Sequence, residues 1–385
     1  MPTTADRLTF FTESVIREMT RVANRYEAIN LSQGFPDADP PPEVLEAGKK
    51  AMQEGPHQYA ITWGAPRFRN ALVEKQRHWT GLDLDPEVHV VVTCGSTEAM
   101  MTAMMTACNP GDKVVIFSPY YENYGADTIL SGAQPIYVPL HPPDFTFDAD
   151  ELQAAFEQRP KAIVLCNPSN PSGKVFSLAE LGTIADLAKT FDAFVITDEV
   201  YEHIVYPPHR HHYMAALPDM FERTISCSSL SKTYNMTGWR LGYVIGPESV
   251  IAGARKVHDF LTVGAAAPLQ AAAVTALELP LSYYEQLTAD YTRKRDLFLG
   301  YLDAAGLSYT TPQGAYYVMV DCTDLGVSDD NAFCRWMAEK VGVAAVPGSS
   351  FFHEAVNHLI RLHFSRSEEI LAETGKRLKN LKSLL

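Results

Sequence analysis

No uninterrupted apolar stretch in the chain approaches the roughly 20 residues needed to span a bilayer. There is no run of basic residues to offset a net charge of -14, which argues against nucleic acid or an anionic membrane as partner. The N-terminus, MPTTADRLTFF, has no basic region followed by a long apolar segment, so no secretory signal is read. The six cysteines, Cys94, Cys108, Cys166, Cys227, Cys322 and Cys334, form no Cys-x-x-Cys pair and have no metal-like spacing to histidine. Several sit among apolar or small residues, as reduced core cysteines of a cytoplasmic protein do. Internal repeats and low-complexity linkers are also missing.

What is present is an ordinary globular composition, 46% hydrophobic and 20% charged. At 385 residues the chain is longer than the roughly 250–300 that one core serves, so two domains are expected. Short β-branched runs alternate with helical patterns, as in an α/β fold. Apolar residues Val15, Met19, Val22 and Tyr26 predict an amphipathic helix over Ser14–Tyr26, and Gln313–Val318 reads as a strand after a glycine turn. His209–His212 follow two prolines and read as an exposed, solvated cluster.

The stretch Thr224–Gly246, TISCSSLSKTYNMTGWRLGYVIG, carries the chemistry. Lys232 is the candidate nucleophile, since a lysine amine that is partly desolvated or set near another cation becomes a reactive base. Arg240 supplies that cation and has the planar fork that suits a phosphate, with Ser229 and Ser231 offering hydroxyl donors to the same anion. A solvated turn around Ser-Lys-Thr has no need of the Gly-Trp-Arg-Leu-Gly that follows. Upstream, Val88–Thr93 leads through Gly95, Ser96 and Thr97 into a helical pattern. That arrangement aims backbone N–H groups and a positive helix end at an anion. Asp198 closes an apolar strand, where open α/β sheets bind ligands. Arg361 interrupts the apolar strand Leu359–Phe364, a costly place unless something pairs with it.

The segment Ser228–Gly242 resembles the lysine signature of fold-type I aminotransferases, class I/II, and the likeness extends over nearly the whole chain. Within that group the chain most resembles the kynurenine–oxoglutarate, glutamine and methionine transaminases and their bacterial relatives. The resemblance implies an α/β PLP-transferase fold with a mostly parallel central sheet, helices on both faces and a smaller α+β domain. It places residues 46–282 in the large domain, 283–385 in the small one and 1–45 with the latter. It implies pyridoxal 5'-phosphate (PLP) as cofactor, held by Lys232 as a Schiff base.

The same resemblance assigns further roles. Ser96, Thr97, Ser229 and Arg240 would anchor the phosphate, Tyr121 would stack on the pyridine ring, and Asp198 would hold its nitrogen protonated. Asn170, in Asn-Pro-x-Asn-Pro-x-Gly, and Tyr201 would reach the 3'-oxygen; Tyr120 and Tyr124 are left to core packing. Gly34 and Arg361 would meet the substrate carboxylate, with Asn170 beside them. Tyr59 would cross to the neighbouring subunit of a homodimer with shared active sites. Small residues at Gly264–Ala267, and Ile16 where kynurenine-handling relatives carry a large aromatic, imply an aliphatic-tolerant pocket. The expected reaction moves the amino group of an L-amino acid of methionine, glutamine or aromatic type to a 2-oxo acid such as 2-oxoglutarate. A C–S β-lyase of cysteine conjugates or cystathionine, an aspartate aminotransferase needing a second cation, and a non-catalytic PLP-fold protein stay open.

Overall fold

A computed structural model describes residues 2–385. A seven-stranded sheet runs in the order Val90–Thr93, Gly242–Ile245, Thr224–Ser229, Phe194–Asp198, Ala162–Cys166, Lys113–Ser118 and Gln134–Pro139. Gly242–Ile245 is antiparallel to both its neighbours, and the other pairings are parallel. Such a sheet must be covered on both faces, which is why its strands are continuous apolar runs. Successive residues go to opposite sides: Val114, Ile116, Val164 and Ile196 join one buried cluster, and Val115, Phe117, Ile163 and Val195 another. Helices Ser96–Ala107 and Glu248–Thr262 close the first face, and Leu178–Thr190, started by a Ser177/Glu180 capping box, closes the second.

A smaller antiparallel sheet is ordered Val346–Pro347, Leu359–His363, Tyr317–Asp321, Ser308–Tyr309. The helix Val15–Arg25, capped by the Ser14 hydroxyl, packs Met19 and Val22 into one cluster with Phe298, Leu362 and Leu378. A short parallel pairing of Ile29–Asn30 with Val343–Ala344 ties the same segment down. No helix among the described residues is long and apolar enough to cross a membrane.

Two local expectations are corrected. Residues Gln313–Tyr316 are not strand, which begins at Tyr317. The N–H groups of Gln313 and Gly314 are used on the Gly173 carbonyl instead, and Ala315 turns through φ 55°. His211 is not solvated: its ring lies edge-on to Tyr213 at 4.4 Å and burial pushes its pKa down to about 3. It packs as a neutral aromatic, because a charged ring would be left without solvent or an ion-pair partner.

Candidate active site

The parallel strands end on one side of the sheet, and the residues just past those ends line an open cleft of about 1330 Å³. Ser96, Thr97, Tyr121, Asn170, Asp198, Tyr201, Lys232, Arg240 and Arg361 share it with Gly34. Of the expected set, Tyr59 and Ser229 are not on its wall. Tyr59 is 88% exposed, away from its own chain's cleft. Ser229 lies behind Ser231, whose N–H donates to the Ser229 hydroxyl at 3.3 Å, and it is Ser231 that lines the cleft.

At one end the helix Ser96–Ala107 begins directly after Gly95, which holds φ +83°, a conformation that favours glycine. A Cβ on Gly95 would sit 2.3 Å from Arg240 Nη2, and one on Gly242 would sit 2.4 Å from the Gly95 carbonyl carbon. Two glycines thus let a helix N-terminus and a guanidinium approach within contact. Arg240 donates to the carbonyls of Thr237 and Cys94 and has no carboxylate partner among the described residues. The arrangement is an anion cradle.

In the middle, Lys232 Nζ donates to the Gly34 carbonyl at 3.0 Å. Burial, with further help from Arg240 and Arg361 and against the pull of Asp198, lowers its pKa to about 8. At pH 7 roughly a tenth of such an amine is unprotonated, against fewer than about one in a thousand for an exposed lysine. Asp198 is buried, and its Oδ2 accepts from the Tyr124 hydroxyl at 2.7 Å. Burial raises its pKa, opposed by Tyr124, the Val200 N–H and Lys232. Tyr124 packs in the core as expected, and its hydroxyl, with the Val200 N–H, also fixes this carboxylate.

At the far end Arg361 is fully buried. It donates to Asn170 Oδ1 and to the Ser32 carbonyl, each at 2.7 Å, while Nε has no partner. Its guanidinium lies between the rings of Tyr317 and Phe351, 4.3 and 4.6 Å from their centroids. No carboxylate of the described residues pairs with it, although an uncompensated buried charge costs several kcal/mol.

Asn170 bonds Arg361, whereas the Tyr201 hydroxyl meets Tyr317 at 2.8 Å. The Gly34 carbonyl is taken by Lys232 and by the Tyr316 hydroxyl, at 3.0 Å each. Nothing in the sequence marks Tyr316 and Tyr317 as site residues, since the pattern of Gln313–Val318 points only to a strand.

The family model for aminotransferase class I and II matches residues 26–378. The chain belongs to the class I and II aminotransferases. This aminotransferase is 35% identical to the methionine aminotransferase of Escherichia coli, over 96% of each chain. It is 33% identical to human kynurenine–oxoglutarate transaminase 1, over 95% of each. The solved structure of N-succinyldiaminopimelate aminotransferase from Mycobacterium tuberculosis superposes with a TM-score of 0.96 at 38% identity, covering 98% of this aminotransferase and 100% of that chain. The fold expected from the lysine signature is therefore the observed one, and the enzyme transfers amino groups.

Proposed function

We propose that the enzyme works with PLP and moves the amino group of an L-amino acid of methionine, glutamine or aromatic type to a 2-oxo acid such as 2-oxoglutarate. The observation that carries this reading is a buried arginine without a carboxylate, Arg361, in one cleft with a lysine whose pKa is lowered to about 8. One residue waits for a carboxylate and the other is a ready amine.

The donor set fits PLP. The cradle of Gly95, Ser96, Thr97 and Arg240 suits its phosphate. The buried Asp198 suits a protonated ring nitrogen, because the cation would relieve the burial that raises its pKa. Bound there, PLP supplies an aldehyde for amines and an electron sink for the carbanion at a substrate's α-carbon. The chain's residues do the rest. Arg361 holds the α-carboxylate and so fixes which bond of the α-carbon is presented to Lys232. Lys232 Nζ takes up and gives back the α-proton, a role suited to an amine that titrates near neutrality. Asp198, oriented by Tyr124, would keep a proton on the cofactor's ring nitrogen. Tyr121 would pack on the flat ring, and Tyr201 and Asn170 would serve its oxygen substituent and the substrate. Alternating release of oxo acid and uptake of a second one gives ping-pong kinetics.

The exposed Tyr59 supports a homodimer whose Tyr59 serves the neighbouring site, and the separate seven- and four-stranded sheets support a large unit over 46–282 with a smaller one from 283–385 and 1–45. Six unpaired cysteines agree with a cytoplasmic setting.

One observation favours a second reading, an acidic donor. Arg17 lines the mouth of the cleft and its side chain has no carboxylate partner among the described residues, so it is the second cation such a donor needs. A donor panel of methionine, glutamine, kynurenine and aspartate, each with 2-oxoglutarate, separates the two by kcat/KM. A strong preference for aspartate would overturn the first. Pyruvate made from a cysteine conjugate without any oxo acid would instead identify the lyase.

Two substitutions follow. Arg361→Ala should raise KM for carboxylate substrates by roughly 30- to 150-fold, the equivalent of about 2–3 kcal/mol for charged hydrogen bonds. An unchanged KM would remove Arg361 from substrate binding. Gly242→Ala drives a methyl into the Gly95 backbone, a strain of about 1–3 kcal/mol that falls on the cradle. PLP titration should show weakened binding, and an unaltered affinity would mean that the cradle does not hold the phosphate.

A further inference from the structure

Three segments meet at the anion-binding end of the cleft: the turn Cys94–Thr97, the loop Tyr59–Trp63 and the link that follows helix Glu248–Thr262. His258, on that helix and fully buried, lies between them. Its Nδ1 is 2.6 Å from Glu98 Oε1, and its Nε2 is 2.8 Å from the Thr62 carbonyl oxygen. Both neighbours are pure acceptors, a carboxylate and a carbonyl. A neutral imidazole has one N–H and would turn a lone pair towards one of them, so the geometry calls for a doubly protonated ring.

Glu98 passes this hold on. It accepts from the Cys94 N–H at 2.5 Å and from the Thr262 hydroxyl at 2.8 Å. Cys94 directly precedes Gly95, and its carbonyl takes the Arg240 guanidinium at 3.3 Å. Thr62 belongs to the loop that carries Tyr59. One imidazolium thus ties the phosphate turn, the Tyr59 loop and the end of the helix into a single unit.

We propose that protonated His258 is a positioning residue for the phosphate end of the cleft, and that loss of its proton at high pH loosens the Cys94–Thr97 turn and the Tyr59 loop and weakens the hold on the cofactor's phosphate. The proposal rests on the PLP reading above. The groups acting on the ring are Glu98 from helix Ser96–Ala107, the Thr62 carbonyl, and Thr262 and Asp259 on its own helix. Burial pushes its pKa down, but Glu98, Thr62 and Asp259 outweigh it and the net direction is up. A pKa raised on folding gives a contribution fully present below histidine's ordinary value and lost as pH climbs through the raised one. The transition therefore lies on the alkaline side of that ordinary value.

The test measures PLP affinity by equilibrium dialysis from about pH 6.5 to about pH 9.5. It compares the unaltered enzyme, His258→Gln and Glu98→Gln, with pyridoxal, which lacks the phosphate, run in parallel. Glutamine in place of His258 donates to one neighbour and offers an oxygen to the other. The unaltered enzyme should lose affinity for PLP by about tenfold or more across an alkaline step. His258→Gln should bind weakly throughout without that step, and Glu98→Gln should move it to lower pH. Titration of Lys232 is common to all three proteins and to pyridoxal, so it cancels in the comparison. Curves for both variants that superimpose on the unaltered enzyme's, or an equal step with pyridoxal, would overturn the proposal while leaving PLP binding intact. Failure of the unaltered enzyme to bind PLP at any pH would overturn the cofactor reading itself.

Discussion

Replacing Lys232 by alanine should reduce transamination by roughly 10⁴-fold, the upper range for removing a positioned proton-transfer group, because in the proposed mechanism the same amine also holds the cofactor. The loss should fall on kcat. The amine's one hydrogen-bond acceptor among the described residues is the Gly34 carbonyl, so its loss should leave the fold intact. The cradle is built from other residues, so Lys232→Ala should still bind PLP through its phosphate. Added small amines should restore part of the activity by supplying the missing base. A variant that turns over at an undiminished rate would show that another group moves the α-proton.

The second large effect belongs to Asp198→Asn. The amide keeps the size and still accepts from Tyr124, but it removes the charge that the proposed mechanism sets against the ring nitrogen. Loss of a preorganised electrostatic partner costs roughly 10²–10³-fold in kcat. Tyr124→Phe should reproduce a smaller part of that loss, since it leaves the carboxylate in place without its 2.7 Å donor. Equal rates for Asp198→Asn and the unaltered enzyme would mean that the ring nitrogen needs no anion. A larger loss in Tyr124→Phe than in Asp198→Asn would give Tyr124 a role of its own.

Much of this site was legible in the chain because its parts are local. Lys232 and Arg240 lie in one stretch, Asp198 closes a strand, and Gly95 opens a helix; each is a strand-end feature that the topology of a parallel sheet brings to one edge. Arg361 was legible as a charge out of place in an apolar strand. What was not legible depends on contacts across the fold. Tyr124 meets a carboxylate 74 residues away, and periodicity assigns it to the core with equal ease. Tyr317 and Tyr316 come from a segment whose strand begins later than its pattern suggests, because its N–H groups turn to the Gly173 carbonyl. His258 and Glu98 are 160 residues apart, and neither stands in a motif. Ser229 shows the converse. Its place beside the lysine suggested the cleft, yet the turn presents Ser231 there and keeps Ser229 behind it.

The central claim is that this cleft moves an amino group onto a bound cofactor and leaves a 2-oxo acid. It is tested most directly in a single turnover: the PLP-loaded enzyme is mixed with methionine, glutamine, kynurenine or aspartate in separate runs without any acceptor. The cofactor's visible absorption and the 2-oxo acid released are measured together. At least one donor should abolish the visible band and yield one oxo acid per site, and 2-oxoglutarate should then restore the band. A band that no donor changes, or oxo acid that keeps accumulating past one per site without an acceptor, would contradict amino-group transfer as the function of this site.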